Sequence, residues 1–131
     1  MVMGSTTIHE DVFREIARLV LEDMEGIYSY EPKSTLASLM GEKSIKPVIT
    51  VIWPAPDEEN QEQVSYDIRI AVLYGASIPK MVSAIRRETS EKVKEYTGYD
   101  VPSVDVYITR LIRFENERSR ENDDAKPDNH D

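Results

Sequence analysis

The block from Val64 to Ile112 leaves this chain few ways to fold. It opens with "VSYDIRIAVLY", which alternates strictly. Val64, Tyr66, Ile68, Ile70, Val72 and Tyr74 fall on one side of a strand, and Ser65, Asp67, Arg69, Ala71 and Leu73 on the other. Gly75 breaks that pattern. A helical stretch follows over Ile78–Thr97, with Ile78, Met81, Val82, Ile85, Thr89, Val93 and Tyr96 on one face and Gly98 at its end. "SVDVYITRLI" then returns as a strand, with Val104, Val106 and Ile108 sharing a face. A strand, a helix and a second strand in one sheet imply a parallel pair joined by a right-handed crossover.

Two more elements precede this block. Residues 7–25 carry Ile8, Val12, Ile16, Leu19 and Val20 at helical spacing, widened by Phe13, Ala17 and Met24. Thr7 followed by Glu10 fits a capping box, and Gly26 is a natural left-handed terminator. "PVITVIW", residues 47–53, is rich in β-branched residues and ends at Pro54 and Pro56. With the acidic loop that follows, it predicts an antiparallel hairpin with Val64–Tyr74. "STLASLMGEKS" fits a short helical turn over Thr35–Met40, closed by Gly41. The resulting expectation is an α+β fold: one αββαβ domain, a three-stranded mixed sheet with two helices on one face. It spans residues 7–114, after a flexible start at 1–6. Residues 115–131 hold seven acidic and three basic residues and almost no apolar ones, which predicts a disordered acidic tail.

Composition narrows the function. The net charge of −9 opposes binding to nucleic acid or anionic lipid. The absence of cysteine removes disulfides, thiolate catalysis and cysteine metal sites. No apolar run approaches the ~20 residues of a membrane span, and the N-terminus lacks a secretion pattern, so a cytoplasmic location is expected. His9 and His130 have no second ligand at metal spacing and read as surface residues. Asp57, Glu58, Glu59 and Glu62 cluster, but without the alternation and turn glycine of a calcium loop they read as solvated. No nucleophile-elbow pattern occurs. The expectation is therefore no enzyme, no metal and no cofactor.

The corner "YGASIPK" raises the question of an anion cradle. It has a single glycine, neither phosphate-loop spacing, and a proline in the first helical turn that removes one donor. Chain reversal at Gly75, a cap at Ser77 and a tolerated Pro79 account for every residue.

These same residues carry a resemblance. "IRIAVLYGASIPKMVSAIRRETSEKVKEYTGYDVPSVDVYITRL" resembles the alkaline shock protein family of bacterial envelope-stress proteins. That family shows an apolar strand ending in Tyr-Gly, then x-x-Ile-Pro, an amphipathic helix ending in Thr-Gly, and a strand with alternating valines. Tyr74, Gly75, Ile78, Pro79, Thr97 and Gly98 match the motif, together with Val82, Ile85, Val93, Val101, Val104 and Val106. Ile16-Ala17 and Glu25-Gly26-Ile27 fit its first helix and the step after it. The likeness covers residues 7–112. Pro47, where the family has glycine, and the longer acidic loop 54–63 depart from it. The resemblance implies an abundant, non-enzymatic cytoplasmic protein of cell-envelope homeostasis, held at the membrane by an integral partner rather than by its own insertion. It carries over no catalytic residue.

Two surfaces are expected to make contacts. One is the sheet face away from the helices, with Leu73, Ala71, Tyr107, Leu111 and Trp53. The other is a basic line on the second helix, Lys80, Arg87 and Lys94, facing the acidic first helix of a second copy or a partner. The leading expectation is a scaffold or interaction protein of the envelope stress response, with protein partners and self-association. The alternative is a KH-like nucleic-acid-binding module, suggested by the αββαβ order, although the GxxG clamp is missing.

Overall fold

The computed structural model describes residues 1–56 and 61–113. Asp57, Glu58, Glu59 and the expected tail at 115–131 lie outside the described residues. The order is α1 (Glu10–Glu22), β1 (Ile27–Tyr28), α2 (Thr35–Leu39), β2 (Val48–Ile52), β3 (Ser65–Leu73), α3 (Ile78–Thr97) and β4 (Val104–Ile112). The α+β class is borne out, but the strand count is not. Among the described residues the sheet has four strands, not three, because the two-residue β1 adds to it. Too short for any alternation, "IY" left no periodic signal.

Strand β3 is the hub. It pairs antiparallel with β2, parallel with β4, and antiparallel with β1 through Ile27–Val72 and Tyr28–Ala71. Ala71 and Val72 already pair with β4, so β1 shares the opposite edge of β3 with β2. The sheet is therefore three strands wide, with one edge split between two segments. Gly26 makes that split possible. Its φ of +92° suits glycine, and a Cβ there would lie 2.7 Å from Met81 Cε and 2.9 Å from Ala76 Cβ. Its carbonyl accepts from the Leu73 amide at 2.8 Å.

The core fills one face. Phe13, Ile16, Ala17 and Leu21 of α1 meet Met81, Ile85 and Val93 of α3 over Tyr66, Ile68, Ile70 and Val72 of β3. Both long helices thus cover the same side, as expected. Several details differ from the sequence reading. Helix α1 starts at Glu10, capped by His9, whose Nδ1 accepts from the Asp11 amide, and not by Thr7. Val12 and Leu19 are exposed; the buried stripe runs through Phe13, Ile16, Ala17, Val20 and Leu21. On α3, Ile78 and Tyr96 are exposed at the two ends, beyond the sheet's cover. Ser77 caps that helix by position alone, with no side-chain bond. Short α2 forms as expected, but none of its residues is buried.

One polar bond ties the layers together. The Tyr66 hydroxyl donates to the Phe13 carbonyl of α1 at 2.8 Å, deep in the core. Burial raises the Tyr66 phenol above its ordinary pKa of about 10. Above that pH the unfolded chain loses the proton and the folded chain keeps it. Stability is complete below about pH 10 and falls above it by about 1.4 kcal/mol per pH unit from this group. Tyr66→Phe is expected to cost about 1 kcal/mol at neutral pH and to flatten that alkaline decline, measured by urea unfolding across pH.

Candidate interaction surface

The face of the sheet turned away from α1 and α3 is built by the alternate residues of three strands. In-register neighbours project to the same side. Val48 of β2, Arg69 of β3 and Tyr107 of β4 form one row; Thr50, Asp67 and Asp105 form the next; Ile52 stands beside Ser65. Val48, Ile52 and Tyr107 are all exposed. Arg69 holds the centre. Its guanidinium lies 4.5 Å from the Tyr107 ring centroid, and its Nε is 3.3 Å from Asp67 Oδ1. Asp67 also faces Asp105 across the parallel pair, so Arg69 offsets a like-charge juxtaposition.

The outer strands have partners of their own along their margins. Arg86 Nε donates from α3 to the Val104 carbonyl of β4 at 3.0 Å. Ser103 O receives the Tyr66 amide from β3, and successive carbonyls alternate, so Val104 O points outward. Arg14 Nε donates from α1 to the Ile49 carbonyl of β2 at 3.3 Å. Each outer strand thus has a carbonyl engaged by a helix arginine, one means of discouraging edge-to-edge pairing.

Strand β4 does not run true. A bulge lies opposite Ile70–Ala71: Ile70 pairs with Ile108, and Ala71 with Arg110. Thr109 is the extra residue, and its hydroxyl donates to the Ile70 carbonyl at 3.1 Å. One inserted residue moves everything after it to the other face. Leu111 therefore sits opposite Val72 and not beside Tyr107, and it remains exposed there. Near the Gly75 turn the open face closes, since Ala71 and Ile112 are buried. Trp53 also lies elsewhere: it meets Phe13 edge-on at 5.2 Å and its indole donates to Glu10.

The sequence-derived candidates thus separate into different places. Tyr107 stands on the open face with Arg69. Leu73 and Lys80 come together, with Tyr74, in a groove at the end of the sheet. The basic line of α3 is divided: Lys94 Nζ reaches Asp100 at 3.1 Å and the Gly98 carbonyl at 3.3 Å, while Arg87 lies 3.5 Å from Glu88. Lys92 pairs with Glu95. Missed by the sequence reading were the roles of Arg69, Val48 and Ile52. The alternation of "VSYDIRIAVLY" already placed Arg69 outward; its partners depended on register.

At the strand–glycine–helix corner, the backbone serves the turn. Gly75 has φ +100°, the Ala76 amide donates back to Leu73 O, and the Tyr74 amide donates to Ile112 O. Residues 1–113 match the family model described as Asp23 family, cell envelope-related function. The chain belongs to the Asp23, or alkaline shock, family. (The family name has no connection with residue Asp23 of this chain.) Neither a curated protein nor a solved structure matches it. Several residues of the alkaline shock motif shape the backbone here. Thr97 Oγ1 donates to Val93 O at 2.6 Å and accepts from the Tyr99 amide, fastening the helix end before left-handed Gly98. Tyr74 lies exposed beneath the Arg113 guanidinium, 4.8 Å from its ring centroid. Among the described residues no helix is long and apolar enough to cross a membrane.

The Arg69 arrangement predicts a coupled effect on stability. Arg69→Ala is expected to cost about 0.5–1 kcal/mol, because Asp67 then faces Asp105 with no cation beside it. Adding Asp105→Asn is expected to return most of that loss, read as the urea midpoint of the double variant.

Proposed function

We propose that this alkaline shock protein is a non-enzymatic scaffold of cell-envelope homeostasis, acting through protein–protein contacts made by its open sheet face. In this reading an integral membrane protein recruits it to the envelope, and the chain itself inserts no segment. The observation that carries the reading is the row Val48–Arg69–Tyr107, exposed on the side that neither long helix covers. An aromatic ring and an arginine at the centre of a partly apolar face suit a protein contact, because tyrosine and arginine are enriched among the residues that carry binding energy, and Arg69 is already held by Tyr107 and Asp67. The family's cell envelope-related function supports the setting. The overall negative charge disfavours the nucleic-acid alternative.

Because these side chains are exposed, they can be changed without opening the core. Tyr107→Ser combined with Val48→Ser is expected to leave thermal unfolding nearly unchanged. The same double variant is expected to lose association with the envelope fraction of the host cell and with the integral membrane protein that co-purifies with the wild type. Undiminished association of the folded variant would contradict the reading.

A further inference from the structure

The segment between β1 and β2 leaves the body of the domain and returns. Tyr30 and Ile45 exchange both backbone hydrogen bonds at 2.7 Å, closing the excursion at its neck. Beyond the neck stands α2, capped by Ser34, whose hydroxyl accepts from the Ala37 amide at 3.0 Å. Leu36, Leu39 and Met40 recur at helical spacing and so share one side of it. They are 66%, 79% and 77% exposed. A five-residue helix and its C-cap thus present three large apolar side chains to water, held by backbone and cap hydrogen bonds but with none of the helix's own residues buried against the domain. Lys33 and Lys43 flank this knob, and no ion pair engages either of them among the described residues.

A receptor of matching character lies at the end of the sheet. An open groove of about 520 Å³ runs between the α1–β1 corner and the first turns of α3. Met24, Leu73, Tyr74, Ala76, Met81 and Ala84 line it. Glu25 is on its α1 side and Lys80 on its α3 side, with Asp23 beside Glu25 at the helix end. The last turn of α1 contains no basic residue, so these carboxylates add to the negative end of the helix dipole. Neither has an ion-pair partner among the described residues.

We propose that the α2 knob of one copy seats in this groove of a second copy. Leu36, Leu39 and Met40 fill the apolar floor. Lys33 and Lys43 meet Glu25 and Asp23, while Lys80 on the opposite wall excludes the reversed orientation. Knob and groove are different patches, so the contact is heterologous, and copies add head to tail. This surface is separate from the open sheet face, so its failure would leave the scaffold reading standing, and the reverse also holds.

Sedimentation of the full chain from micromolar to millimolar concentration tests it. The wild type is expected to grow beyond a dimer as concentration rises and to shrink with salt. Leu36→Ser with Leu39→Ser removes the knob, and Ala84→Arg fills the groove; circular dichroism verifies the fold of each. Each variant alone is expected to associate at least about tenfold more weakly than the wild type. Mixed together they are expected to form a one-to-one dimer and nothing larger, because one intact knob then faces one intact groove. Tyr107→Ser is expected to associate like the wild type. A wild type that stays monomeric throughout would overturn the proposal, including one whose knob instead binds anionic phospholipid vesicles. So would a mixture that gives no dimer, or association abolished by Tyr107→Ser.

Discussion

Three strands depend on β3 for their place, and the helices pack on what it presents. Among the described residues Ser65–Leu73 is the only strand with a partner on each edge, and its even-numbered side chains form the floor of the core. Tyr66 couples this strand to α1 by burying its ring and spending its hydroxyl on a helix carbonyl. A buried polar group left unpaired would cost about 1–3 kcal/mol, so the bond fixes how α1 sits on the sheet. By fixing the covered side, the same strand leaves Asp67 and Arg69 on the uncovered one.

Much of this was legible because β3 and α3 are long and strongly patterned. Helix α3 begins at Ile78 and ends at Thr97, as its spacing predicts. The parallel return of β4 follows from the crossover. What could not be read has a common cause: it depended on register or on partners distant in sequence. Nothing local in "DVYITRLI" marks Thr109 as a bulge, yet that residue sends Leu111 to the opposite face from Tyr107. Trp53 has the composition of an exposed aromatic, but Phe13 and Tyr99 take it up on the helix side. The two residues of β1 gain meaning only from Ala71 and Val72 beside them.

The fold separates two kinds of surface whose residues lie close together in sequence. Arg69 and Tyr107 belong to a flat face whose flanking strands have arginine-capped carbonyls. Leu73, Tyr74 and Lys80 belong to a recess where the Gly75 turn meets α1. Motif residues at that turn hold the backbone in place, and the side chains around them shape the recess. A member of a family with cell envelope-related function thus carries an exposed sheet face around Arg69 and Tyr107 and an apolar recess at the Gly75 end of the same sheet.

Hydrogen exchange in the native state measures the role of β3 most directly. If that strand organises the domain, the amides of Ile68 and Ile70 exchange only when the whole molecule unfolds, and their protection matches the global unfolding free energy. Amides of the 30–45 excursion then exchange far faster, by local opening. Protection in β3 no greater than in that excursion would contradict the account.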